Sequence, residues 1–159
     1  MKRFRLVLCF LLGALVVAGA AQADGSSDDE GKCRAVRARG VGQDLGNGTT
    51  AATITNGGIL KGTTAATFGI TGGAPPVLTF AGTVVFTTKR GTLTVGIAGT
   101  FNVATGAFDA SGPINGGTGR FAGASGMLRL VGVQDSTGRF TETVRGTLCL
   151  ADDDDDDDD

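Results

Sequence analysis

The sequence predicts an all-β fold, an antiparallel eight-stranded β-barrel that follows a cleaved N-terminal signal peptide. Three observations predict it. From Cys33 to Leu150, short runs of Thr, Val, Ile, Leu and Phe are broken by glycine at intervals of about eight to twelve residues, the rhythm of sandwiches and barrels. No segment there places apolar residues at a helical period between caps. The stretch "FAGTVVFTTKRGTLTVGIAGTF", residues 80–101, folds on paper into a hairpin with one apolar face and one threonine face, as in a sheet wet on one side.

Residues 1–23 read as the signal peptide. Lys2, Arg3 and Arg5 form a positive n-region, "LVLCFLLGALVVAGA" an apolar h-region, and Ala21-Gln22-Ala23 a small-x-small cleavage site before Asp24. A retained membrane anchor is the alternative, but the apolar run is short and poorly flanked for one. Residues 24–32, "DGSSDDEGK", are expected to be a disordered leader. The barrel domain is then 33–151, one domain's worth of chain. Residues 152–159 are all aspartate, expected to be a solvated, self-repelling tail. Diffuse divalent-cation binding or recruitment of a cationic partner is its other reading, since carboxylates suit hard cations but a cage needs a fixed loop.

Strands are expected at about 33–41, 49–56, 58–70, 77–88, 91–104, 107–114, 120–133 and 138–150. A turn at Lys89-Arg90 sets Phe86 opposite Leu93, Val84 opposite Val95 and Gly82 opposite Ile97. In the final hairpin, around "QDSTG", the expected register sets Val133 opposite Phe140, Val131 opposite Glu142 and Arg129 opposite Val144. Eight antiparallel strands can close a barrel with room for side chains or one small ligand.

"INGGTGRFAGASG", residues 114–126, spells G-x-G-x-x-A at Gly117, Gly119 and Ala122. A dinucleotide fingerprint needs a helix next, whose N-terminus binds the pyrophosphate. Here an apolar strand follows, so the glycines are read as a corner and as strand kinks. The same residues carry a resemblance. "GGTGRFAGASG", an apolar strand and then "GRFTETVRGTLCL" resemble the final hairpin of the allene oxide cyclase barrel-like group, to which dirigent proteins are related. The resemblance spans about 80–150 and is specific in 115–126. It implies an eight-stranded antiparallel barrel with an apolar lumen, in a superfamily of cyclases, stereochemistry-directing binders and bacterial secreted members. No catalytic motif of the cyclases or dirigent proteins can be placed on this chain, so no activity is carried over.

Composition removes several function classes. There is no His, Trp or Tyr, so Ser-His-Asp and Cys-His catalysis and histidine metal sites are impossible. A sugar-stacking platform and the aromatic girdle of an outer-membrane barrel are unsupported. Setting aside the signal's three cations from fourteen and the tail's eight aspartates from sixteen leaves eleven basic against eight acidic residues. They are scattered and have no stacking platform, so nucleic acid is not an expected partner. No cofactor, metal or membrane span after signal cleavage is expected, and the location is extracytoplasmic.

Two cysteines survive signal removal, Cys33 and Cys149. In an exported chain they are expected to pair, the alternative being two buried thiols. Arg129 and Glu142 are the candidate ligand-binding residues. In the expected register they are diagonal neighbours on a face shared with Met127, Val131, Val133, Phe140 and Val144. If that face lines the lumen, they are its polar handles; if it points outward, they are a surface ion pair of little worth. The leading expectation is an exported barrel binding a small apolar molecule. A cyclase or isomerase acting by confinement, and a ligand-free structural module, are the rivals.

Overall fold

The computed structural model describes residues 33–151. The signal peptide, leader and aspartate tail expected at 1–23, 24–32 and 152–159 lie outside the described residues. Within them the chain is a closed barrel of eight antiparallel strands in sequence order. The strands are β1 (Cys33–Gly46), β2 (Thr49–Ile54), β3 (Gly62–Ala74), β4 (Val77–Thr88), β5 (Gly91–Asn102), β6 (Ala107–Gly117), β7 (Ser125–Gln134) and β8 (Arg139–Cys149). Each pairs with the next, and β8 closes on β1 along eleven residue pairs. Closure removes the exposed edges that a Thr- and Val-rich sheet would otherwise offer to other chains.

The β4–β5 hairpin has the register its alternation predicts: Gly82 opposite Ile97, Val84 opposite Val95 and Phe86 opposite Leu93. Its threonine face is outside. Two expected strands begin later than predicted. Residues 58–60 and 119–121 each wind into one 3-10 turn, so β3 starts at Gly62 and β7 at Ser125. Both turns tuck an apolar side chain into the barrel, and Leu60 and Phe121 are fully buried. β1 and β6 run further than expected, to Gly46 and Gly117.

The Gly-rich stretch is thus a corner that plugs one end. Its amides are used by the chain itself: Thr118 N–H donates to the Thr92 carbonyl, Arg120 to Arg90, Phe121 to Thr118 and Ala122 to Gly119, all at 2.9–3.2 Å. Such amides are not free to cradle a phosphate. At the same end Cys33 faces Cys149 across the β1–β8 ladder, and the two are joined by a disulfide spanning 116 residues. Below the plugs lies the packed half of the core, with Phe86, Leu93, Val95, Leu128, Val144 and Leu148 at most 1% exposed. Full burial of each such side chain stabilises by roughly 1.5–3 kcal/mol.

The final hairpin departs from expectation by one residue. Val133 opposes Thr141, Gly132 opposes Glu142 and Leu130 opposes Val144. The turn explains the slip. Asp135 N–H donates to the Arg139 carbonyl and Gly138 N–H to the Asp135 carbonyl. The Asp135 carboxylate accepts from the Thr137 N–H and hydroxyl and from the Arg139 N–H. Gly138 sits at φ 82°, where a side chain would be strained. A one-residue slip turns a whole strand face over. Leu128 and Leu130 therefore point in, while Met127, Arg129, Val131 and Val133 point out.

Candidate functional site

The end opposite the plugs is different. There the connections are tight turns, and the inward residues of eight strands form a cup of about 120 Å³. Phe68 and Ile70 of β3, Phe80 of β4, Phe101 of β5, Phe108 of β6 and Phe140 of β8 line its walls. The rings meet in two pairs. Phe68 and Phe80 have centroids 5.4 Å apart, and Phe108 meets Phe140 edge to face at 5.9 Å. Both spacings lie in the attractive range for aromatic pairs.

Glu142 sits among these rings on β8, beside Thr64 of β3, Val84 of β4, Ile97 of β5 and Leu130 of β7. It is 8% exposed and is the only charged residue among the buried ones described. Glycines flank it on both neighbouring strands, and one of them makes room for it. Its ladder neighbours are Gly40 on β1 and Gly132 on β7. A Cβ at Gly40 would come within 2.7 Å of Glu142 Oε1 and 2.8 Å of its Cγ. At Gly132 a Cβ would collide with the Phe108 ring and with the Thr141 carbonyl. Gly40 thus leaves space for the Glu142 side chain, and Gly132 for the Phe108 ring.

No cation or hydrogen-bond donor among the described residues answers Glu142. Burial alone pushes its pKa up, from 4.5 to about 7. A carboxyl so placed is half protonated at neutral pH, so it can donate or accept a proton inside an apolar chamber. Nearer the mouth, Asp44 of β1 also lines the cup. Its carboxylate is tied down by Gln134 Nε2 at 3.2 Å and by the Gly46 N–H at 2.8 Å. Gln43 Nε2 donates to the Thr137 carbonyl at 3.0 Å, and so fastens the β1 end to the β7–β8 turn.

Of the two expected handles, Glu142 points into the lumen and Arg129 does not. The expected Arg129–Glu142 pair is therefore corrected. Arg129 lies on the outer wall, 63% exposed, and grips Asp109 of β6 with both ends of its guanidinium. That contact, chiefly its hydrogen bond, holds the Asp109 carboxyl below the usual carboxylate range. The strand slip described above is the cause: Arg129 opposes Arg145, outside the barrel, and not Val144.

Sequence reasoning missed the aromatic ring of the cup, Thr64, and Asp44 with Gln134. The phenylalanines were legible as apolar, but they come from five strands, and only closure brings them together. Among the described residues no group of three or more His, Cys, Asp or Glu comes together, and no helix is long and apolar enough to cross a membrane. No family model matches the chain, and no curated protein sequence matches it.

Proposed function

We propose that this protein is an exported barrel that binds a small apolar molecule in its aromatic cup, with Glu142 as the polar handle. The observation that carries the reading is Glu142, a residue only 8% exposed whose carboxyl has no partner and opens onto an aromatic-lined cup in a barrel plugged at one end only. A packed structural module would gain stability by replacing that acid with an apolar residue. A cup that keeps it, with a glycine at Gly40 leaving it space, has a use for it. Ligand sites have this make-up, an apolar concavity with few polar groups. The reading also draws on the sequence: an N-terminus patterned for export, and a disulfide suited to an oxidising compartment.

A cyclase or isomerase is the second reading, and one observation favours it. Glu142 is poised near neutrality in an apolar cup, an arrangement suited to general acid–base catalysis. The resemblance of residues 115–126 and the last hairpin to the allene oxide cyclase barrel-like group agrees with it. Confinement of a flexible substrate would supply the rest.

Calorimetric titration with 3-phenylpropanol, a neutral single-ring probe, tests the shared premise. Wild type should bind it, and Ala66→Leu, which fills the cup from the β3 wall, should not. A benzene-sized ligand fits an apolar cavity of about 150 Å³, so a single-ring probe with its hydroxyl turned to Glu142 and the remainder reaching the mouth matches this one. No binding by wild type would leave the ligand-free structural module as the reading, and equal binding by both proteins would place the probe outside the cup.

A further inference from the structure

The cup has a charge sign. Of the residues that line it, Asp44 and Glu142 are the ones that carry charge, and both are acidic. No Lys or Arg is among the lining residues. From β1 Asp44 is the one other titratable group facing the cup, and none faces it from β2 to β7. The walls add to this polarity. Aromatic faces carry negative electrostatic potential and attract cations, and two ring pairs flank the space.

We infer that the ligand of the cup is a small apolar amine, its ammonium seated against the Glu142 carboxylate and its hydrocarbon part between the phenylalanine pairs. The inference rests on the reading of the cup as a ligand site. Three kinds of ligand can be weighed against the lining. A hydrocarbon would strip the remaining water from Glu142 and offer it no donor, which penalises binding. A carboxylate or phosphate would meet two like charges and no cation. An ammonium meets an acid it can pair with, aromatic walls, and a second acid nearer the mouth that attracts cations on their way in. Size sets the other bound. About 120 Å³ is less than the roughly 150 Å³ cavity that takes benzene, so one six-membered ring or a short chain fills it, and the rest of a larger amine would lie at the mouth.

The pairing has a built-in pH dependence. The carboxyl must be ionised to hold the ammonium, and burial places its pKa at about 7. Amine affinity should therefore be at its plateau above about pH 8, and should fall by about tenfold per pH unit below 7.

The test uses three probes on one skeleton, 3-phenylpropylamine, 3-phenylpropanol and 3-phenylpropanoate, titrated into the mature protein by calorimetry at pH 8 and at pH 5.5. At pH 8 the amine should bind at least about tenfold tighter than the alcohol, and the carboxylate should not bind measurably. At pH 5.5, where only about 3% of the carboxyl is ionised, the amine's advantage should fall toward one. In Glu142→Gln the ratio of amine to alcohol affinity should collapse toward one at both pH values. The wild-type pH series carries the same information if that variant fails to fold. Equal binding of amine and alcohol to wild type, or an amine preference that survives Glu142→Gln, overturns the amine assignment and leaves the cup as a neutral-ligand site. Tighter binding of the carboxylate overturns the charge argument outright. Failure of all three probes to bind overturns the ligand reading itself.

Discussion

Replacing Glu142 by glutamine should stabilise this protein at pH 8 and leave it nearly unchanged at pH 4. In the fold, burial raises the carboxyl pKa from 4.5 to about 7. Between those values the folded chain holds a proton that the unfolded chain has released. Stability from this group is therefore complete below pH 4.5 and is lost as pH rises through 7. At 1.36 kcal/mol per pH unit, the ionised form costs about 3 kcal/mol at pH 8. Glutamine keeps the shape and never ionises, so most of that cost should return, less about 1 kcal/mol for an amide with few partners. A domain of this size should gain roughly 10 °C in melting temperature at pH 8. The window is unusually clean, because the chain has no histidine. Asp109 and Asp135, whose carboxyls are held below their usual range by Arg129 and by Thr137, titrate well beneath it. Urea unfolding of both proteins from pH 4 to 8, with the disulfide intact, reads the difference. A flat wild-type profile, or a Glu142→Gln protein weaker than wild type at pH 8, would refute the buried, unpartnered carboxyl.

Other outcomes follow from the same geometry. Arg129→Met should cost under about 1 kcal/mol, because its bridge to Asp109 is exposed; in a double-mutant cycle with Glu142→Gln the effects should add, the two residues lying on opposite faces of the sheet. Phe121→Ala should cost about 3–5 kcal/mol, since it empties a plug that is fully buried; thermal melts would show it as a large drop, with the cup at the other end still binding its probe. The Cys33→Ser, Cys149→Ser double variant should lose about 4–5 kcal/mol in the chain-entropy account of a 116-residue loop; thiol labelling of unfolded, unreduced wild type should find neither cysteine reactive. Deleting residues 152–159 should leave the melting temperature unchanged, because eight aspartates bury no apolar surface.

The barrel was legible in the sequence because most of its strands alternate. β4 and β5 carry large apolar residues on one face and threonine on the other, and a two-residue turn leaves their register no freedom. β8 is as clear: Phe140, Glu142, Val144 and Leu148 share one parity, and Thr141, Thr143, Arg145 and Thr147 the other. That pattern put Glu142 on the apolar face without deciding whether that face lined the lumen, and the position of the two cysteines at the ends of the strand region anticipated their bridge. β7 does not alternate. Met127, Leu128, Leu130, Val131 and Val133 put apolar residues on both faces, so its orientation rested on the count of residues in the turn before β8. The hydrogen bonds of Asp135 and the left-handed Gly138 set that count one residue away from expectation, and Arg129 went outside with the whole face. The 3-10 plugs were hidden for a similar reason. Leu60 and Phe121 are single apolar residues among glycines, with no period to announce burial. The cup is the most tertiary feature of all. Its phenylalanines are scattered over five strands, the glycine that admits Glu142 stands on β1 and the one that admits Phe108 on β7, and only closure of the sheet sets them around one cavity.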